Sequence, residues 1–251
     1  MFIKDKVITV GSNIINIYTV NSKNKIEEVK NVDDITSLDK EINKENLYIL
    51  LENEEIHIKK LLLPNTSNNN INSIIMNKLN YLYGKNTQDI YYTYSKWESN
   101  NKEIEIILYC INCHKNRIRN LQKNKFQIKK VNLIQLWYIK YYQKSIVEKD
   151  YIVIIKHNSS IYTLYFCDKR LLSNQITTEE NLLSSLIFII NKMKVYNCIF
   201  TKVYSINLDQ KIIEKYLKLD FEKDKININV INLGSITEEE IIGYYIENRR
   251  K

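Results

Sequence analysis

Apolar residues in this chain fall into short alternating runs separated by Asn, Ser, Asp and Lys, with a few longer segments in which they recur every three or four positions. The first run, Val7 to Val20, alternates on both sides of Gly11-Ser12-Asn13 and predicts a strand, a tight turn and a second strand. A third strand is expected at Lys25 to Val29. The polar stretch Asp33 to Glu45 is a poor helix candidate on its own, whereas Leu47 to Leu51 reads as a short strand leading towards Ile56 to Leu63.

Pro64 closes that region, and Asn65 to Asn70 offers capping chemistry for a helix with apolar positions Ile71, Ile74, Ile75, Leu79 and Leu82, ended by Gly84. Strands follow at Ile90 to Trp97 and Glu103 to Tyr109, parted by the turn-forming Ser99-Asn-Asn101. A helical pattern with Ile118 and Leu121 precedes a strand at Ile128 to Val131, and Leu133 to Tyr142 is an apolar, aromatic helix.

At Tyr151 the pattern begins again. Ile152 to Ile155, the turn Lys156-His-Asn-Ser-Ser160, the alternating Ile161 to Phe166 and a third strand at Arg170 to Ile176 repeat the opening meander. A helix is expected from Glu179 to Lys194, a strand at Cys198 to Thr201, a helix from Gln210 to Leu219 and a strand at Ile226 to Ile231. Thr237-Glu-Glu-Glu240 then opens a last helix as a capping box. The reading is an α/β chain of two related lobes, 1–150 and 151–251, with an inserted subdomain at about 55–125 and a shortened second lobe. No Pro/Gly/Ser-rich linker separates them, so the lobes interlock.

Composition narrows the functional classes. With 251 residues and 44% hydrophobic content the chain can bury a full core and is not a disordered tail. The net charge of +8 would suit nucleic acid, but the positive charge is nearly all lysine, with arginine only at 117, 119, 170, 249 and 250. Arginine is the residue best shaped for bidentate contacts with phosphate or guanine. The N-terminus lacks the succession of a signal peptide, and Leu182 to Ile190 is too short to cross a bilayer, so a cytoplasmic protein is expected.

Candidate chemistry is thin. Cys110-Ile-Asn-Cys113-His114 has the spacing of a c-type haem site or, at a strand-to-helix junction, of a redox pair. Haem attachment needs export, and thioredoxin-like sites use a cis-proline that this chain lacks after Pro64. The four cysteines are few for a disulfide framework, and no paired spacing supports zinc. His157 has no nucleophile or carboxylate placed beside it by sequence and reads as a solvated turn residue. Asn248 to Lys251 is read as favourable charge at a helix end.

Two meander-led lobes with a module inserted in the first resemble the actin-like, ribonuclease H-like fold as used by bacterial scaffolds. Within it the sequence is similar to the PilM family of type IV pilus assembly and to the cytoplasmic domain of the type II secretion protein GspL. Val7 to Val20, Ile58-Lys-Lys-Leu-Leu-Leu-Pro64 with its helix, Ile104 to Val131, Ile152 to Ile176 and Glu240-Ile-Ile-Gly-Tyr-Tyr-Ile-Glu-Asn-Arg249 carry the resemblance. Actin-like ATPases hold phosphates with two turns, each usually Asp-x-Gly, because backbone N–H groups must approach closely and a carboxylate orders Mg²⁺. Here the first turn reads Thr9-Val10-Gly11, followed by Ser12, and the second reads Ile154-Ile155-Lys156, running on to Asn158. The place of the adenosine Gly-Gly pair reads Thr201-Lys202-Val203.

The resemblance therefore implies a scaffold without ATP hydrolysis, cofactor or metal, recruited to the cytoplasmic face of the membrane. Its implied partner is the cytosolic N-terminal segment of a PilN-like bitopic membrane protein, with an assembly ATPase as a second. Leu61, Leu63, Ile71, Ile75, Tyr92 and Tyr94 are the candidate groove wall; plain core packing is the competing reading of each. An active Mg-ATP-binding actin-like protein and a lysine-rich nucleic-acid binder are the alternatives.

Overall fold

The computed structural model describes residues 5–11, 15–21, 23–33, 38, 42, 46–112, 127–196, 199–221 and 228–248. Strands β1 (Asp5–Val10), β2 (Ile15–Val20) and β3 (Ile26–Val32) form an antiparallel meander, with Val10 opposite Ile15 and Ile15 opposite Val32. β4 (Asn46–Leu51) joins β1 in parallel, and β8 (Gln127–Leu133) joins β4, giving the order β3-β2-β1-β4-β8. The second lobe repeats this order as β11-β10-β9-β12-β13, from β9 (Tyr151–His157), β10 (Ser160–Cys167), β11 (Arg170–Thr177), β12 (Lys202–Ile206) and β13 (Asn229–Asn232).

The central strands explain why the sequence reads as apolar blocks there. Ile152 to Ile155 are fully buried because β9 lies between β10 and β12 with both faces covered, which removes any need to alternate. One continuous core runs from Val7 in the first lobe to Ile246 near the end of the chain, so the lobes share their interior.

Between β4 and β8 sits the inserted module: β5 (His57–Pro64), α1 (Asn68–Tyr83), a 3₁₀ turn at Gly84–Asp89, β6 (Ile90–Ser99) and β7 (Glu103–Asn112), with sheet order β5-β7-β6. Ser67 caps α1 by accepting the Asn70 N–H, and Gly84 ends it at φ 54°, a conformation that costs a residue without Cβ little.

The remaining helices are α2 (Ile134–Tyr142), α3 (Leu182–Tyr196, entered through a 3₁₀ turn at Glu179–Asn181), α4 (Gln210–Phe221) and α5 (Glu238–Asn248). The capping box forms as the sequence indicates: Thr237 N–H donates to Glu240 Oε2 (2.8 Å) and Glu240 N–H to Thr237 Oγ1 (3.2 Å). Although α5 follows the second lobe in sequence, it packs on α2 of the first. The Trp137 and Tyr245 rings meet edge to face at 4.7 Å, and Asn132 Nδ2 donates to Tyr245 Oη (3.1 Å).

Three expectations shift. Within the supposedly non-helical 33–45, Leu38 is helical, the Ile42 N–H bonds the Leu38 carbonyl (2.9 Å), and both side chains are buried. Ile35, Leu38 and Ile42 stand at helical spacing in the sequence, a short stripe among polar residues. The strand expected at Cys198 to Thr201 begins instead at Lys202, because β12 must register Val203 to Ile206 against Ile152 to Ile155; Phe200 is buried ahead of it. Cys167 is disulfide-bonded, a proximity that cysteine counting could not see. The helical pattern around Ile118 and Leu121 lies outside the described residues.

Candidate functional site

The six groove-wall candidates come together, but as an interior. Strand register places Leu61 opposite Ile106, Leu63 opposite Ile104, Tyr92 opposite Cys110 and Tyr94 opposite Leu108, so all four share one face of the module sheet. That face is covered by α1, whose Ile71, Ile75 and Leu79 are fully buried against it. Ile71, Ile75 and Leu63 are thus module core. Leu61, Tyr92 and Tyr94 are half-buried at its rim.

The opposite face turns to the main body. Ile58 and Ile107 belong to the shared core, and Trp97 stacks on Tyr196 (ring centroids 6.5 Å apart) with the Lys60 ammonium at 5.5 Å and the Arg170 guanidinium at 5.1 Å. β5 lies along β11 of the second lobe. β6 is the other edge of the module sheet and pairs with no further described strand.

A cleft of about 850 Å³ lies between the lobes. Gly11 and the turn Asn158-Ser159-Ser160 face each other across it, with Asn16, Asn31, Asn53, Thr177, Thr178 and Asn181 as further polar lining and Val29 and Ile176 as apolar lining. Strand pairing aligns the two turns: Val10 lies beside Leu51 as Ile155 lies beside Ile206, which sets Thr9 against Ile154 and Gly11 against Lys156. Ser12 lies outside the described residues. Ile154 is fully buried within β9 and Thr9 is 1% exposed, so neither presents a group to a ligand. β9 also runs past the point where β1 ends, including His157 in the strand and leaving only Asn158-Ser159 to turn the hairpin.

Sequence reasoning missed two carboxylates here. Glu52 extends from β4, and Glu238 enters from the first turn of α5; both line the cleft. Glu238 Oε1 accepts from Tyr18 Oη (2.8 Å) and Asn16 Nδ2 (3.1 Å), and burial beside Glu238 holds the Tyr18 hydroxyl far above its usual range. Neither acid sits in a motif, and only the return of α5 to the first lobe brings Glu238 in.

His157 is corrected most. Far from being solvated, it is 4% exposed, with Nδ1 3.0 Å from Tyr138 Oη and Nε2 3.5 Å from Glu52 Oε2. The position assigned to the adenosine pair is corrected too, since Lys202 and Val203 are inside β12; the residues after that strand are Asn207-Leu208-Asp209, with Asn207 at φ 58°.

These groups do not fit a magnesium nucleotide. No acid stands at Thr9 or Ile154, Lys156 occupies the place where a glycine would admit phosphate, and its ammonium is held by Glu179 at 2.7 Å. Among the described residues no lysine or arginine lines the cleft, while Glu52 and Glu238 would repel phosphate. Among the described residues no group of three or more His, Cys, Asp or Glu is placed to hold a metal. Cys113 and His114 lie outside the described residues; Cys110 is fully buried, and burial pushes its thiol up, away from the nucleophilic thiolate. No described helix is long and apolar enough to cross a membrane.

No protein-family model matches the chain, and no curated protein sequence matches it. Solved structures do. The cytoplasmic domain of EpsL, an inner-membrane component of the type II secretion system of Vibrio cholerae, aligns over 99% of this chain and 96% of its own, with TM-score 0.58 and 7% identity. A PilM–PilN type IV pilus biogenesis complex aligns over 97% and 96%, with TM-score 0.60 and 8% identity. A Bacteroides thetaiotaomicron protein described as having an actin-like ATPase fold aligns over 97% and 95%, with TM-score 0.50 and 12% identity. Matched end to end by these structures, and repeating one five-stranded sheet order in both lobes, the chain has the actin-like ATPase fold.

Proposed function

We propose that this protein is a non-hydrolysing scaffold at the cytoplasmic face of a type IV pilus or type II secretion platform. It holds the cytosolic segment of a single-span, PilN-like membrane protein and presents it to the rest of the assembly, including an assembly ATPase. The observation that supports the reading is a fold kept from end to end while, among the described residues, the cleft is lined by no lysine or arginine and neither turn carries an acid at Thr9 or Ile154. Resemblance to EpsL and to a PilM–PilN complex supplies the biological setting.

The inserted module is the docking element in this reading. An extended segment laid along β6, on the side where no other described strand pairs with it, would gain backbone hydrogen bonds, and alternate side chains would rest against Tyr92 and Tyr94 at the module's rim. Fully buried Ile71 and Ile75 support that rim from beneath. The lysine charge then serves a peripheral position at an anionic membrane surface, not nucleic-acid recognition.

A photo-crosslinking residue at Tyr92 or Tyr94, in the full chain and in the native host, tests the proposal. Capture of the cytosolic segment of a single-span pilus or secretion protein, retained through a high-salt wash, is the expected result. Capture of nucleic acid alone, shed as salt rises, would overturn it. Saturable Mg-ATP binding by the purified protein would move the reading to an active actin-like ATPase.

A further inference from the structure

We propose that the two lobes are latched to each other by protein side chains beside the cleft, with His157 as the keystone, so that their relative orientation is set without a bound ligand. His157 stands at the end of β9 in the second lobe, and besides Asn158 Nδ2 of its own turn, 3.3 Å from Nε2, its ring nitrogens meet two groups of the first lobe. Nδ1 lies 3.0 Å from Tyr138 Oη of α2, and Nε2 lies 3.5 Å from Glu52 Oε2, just beyond β4. The histidine and glutamate side chains are 3% and 8% exposed, so the contact is made out of water. Burial, reinforced by Glu238, Tyr162 and Glu52, holds the Tyr138 hydroxyl protonated and therefore able to donate to Nδ1.

A second tie lies beside it. The Asn53 backbone N–H donates to Tyr162 Oη (3.0 Å), and the same hydroxyl donates to Asn53 Oδ1 (3.2 Å). Tyr162 belongs to β10 of the second lobe and is fully buried; Asn53 follows Glu52 and adopts φ 58°. The left-handed turn at Asn53 is thus held by a tyrosine from the opposite lobe. On the first-lobe side Gln135 Nε2 of α2 bonds the Glu54 carbonyl (2.9 Å), which fixes the 52–54 segment against the helix that carries Tyr138.

These contacts join the lobes beside the cleft, whose lining includes Glu52 and Asn53. A cleft ligand would touch both hairpin turns and the end of β4, and here the end of β4 is already tied to β9 by the Glu52–His157 pair and to β10 by the Asn53–Tyr162 hydrogen bonds. The extension of β9 past the equivalent of Gly11 makes this possible: with the strand ended as in β1, no His157 side chain would reach Glu52. Removing His157 leaves a buried carboxylate without its partner, which costs more than the lost attraction alone. The replacement Glu52→Gln keeps a neutral acceptor for the ring.

The test places a fluorescent donor and acceptor on the exposed Lys129 of β8 in the first lobe and Lys211 of α4 in the second, through non-canonical residues that leave the native cysteines untouched, and reads single-molecule distances. The wild-type protein should give one narrow distance that Mg-ATP does not move. His157→Ala should lose that single distance, Glu52→Gln should retain it, and Tyr162→Phe, which removes only the hydroxyl, should broaden it. An unchanged distribution in His157→Ala, or a wild-type distance that shifts on adding Mg-ATP, would overturn the latch. Should His157→Ala fail to fold, Tyr162→Phe decides, and an unbroadened distribution there overturns the proposal equally. Partner capture by the module is read independently of these distances.

Discussion

Ile75→Ala separates the interior of the inserted module from its docking rim. Ile75 is fully buried between α1 and the module sheet, beside Ile71, Leu79, Ile106 and Leu108. The substitution removes three buried carbons, worth roughly 0.8 kcal/mol each in transfer, and leaves a cavity whose walls collapse only partly, so the expected loss is about 3 kcal/mol. That loss should be local, because the module has its own core, distinct from the continuous core of the lobes. Hydrogen exchange followed by mass spectrometry should show protection of α1 amides falling roughly a hundredfold while β9 and β10 are unchanged. Tyr92→Ala, at a half-buried rim position, should cost only about 1 kcal/mol yet abolish capture of the membrane partner. If Ile75→Ala leaves α1 protection intact and abolishes capture, Ile75 is a groove wall after all and the packing argument fails.

Trp97→Ala should free the module from the second lobe, raising exchange in β11 and around Tyr196, whereas Trp97→Phe should restore most of the stacking. The buried tyrosines should resist ionisation: burial pushes Tyr151 up to about 12 and Tyr138, Tyr162 and Tyr165 further. Their raised folded values mean a contribution fully present below the ordinary tyrosine range near pH 10 and lost as pH rises beyond it, so a spectrophotometric titration should show late phenolate formation coinciding with unfolding. At the acid side, hydrogen bonds from the Thr237 backbone and hydroxyl hold Glu240 below the usual carboxylate range. The linked contribution is present above that range and fades as pH falls through the lowered value; carboxyl NMR should show Thr237→Val returning Glu240 towards ordinary behaviour.

The lobes and their meanders were legible because hairpins announce themselves twice, by alternation and by turn residues, as at Val7 to Val20 and Ile152 to Phe166. The capping box at Thr237 was equally plain, since its reciprocal bonds are local. What stayed hidden depends on contacts between distant segments. Nothing in Lys156-His-Asn-Ser distinguishes a solvated histidine from one buried against Glu52; the difference is made by β9 extending under Tyr138. The edge of β12 was misplaced because Cys198 to Phe200 is as apolar as the true strand, and only pairing with β9 and β13 fixes the register. The groove candidates illustrate a general ambiguity: the periodicity that assembles one face of a sheet is the same whether a partner or the protein's own helix covers it.

The return of α5 to the first lobe bears on how the protein is made. Residues 151–236 form an excursion between α2 and α5, two helices that need each other: Trp137 is 5% exposed and Tyr138 1% exposed with α5 in place. During synthesis the first lobe emerges with that aromatic face bare, and it stays bare until Glu238–Asn248 has been translated. The nascent first lobe is therefore a half-finished surface for as long as the second takes to appear, and a chain broken between β13 and α5 leaves the α2 face unsealed. Maturation of the whole molecule waits on a single eleven-residue helix.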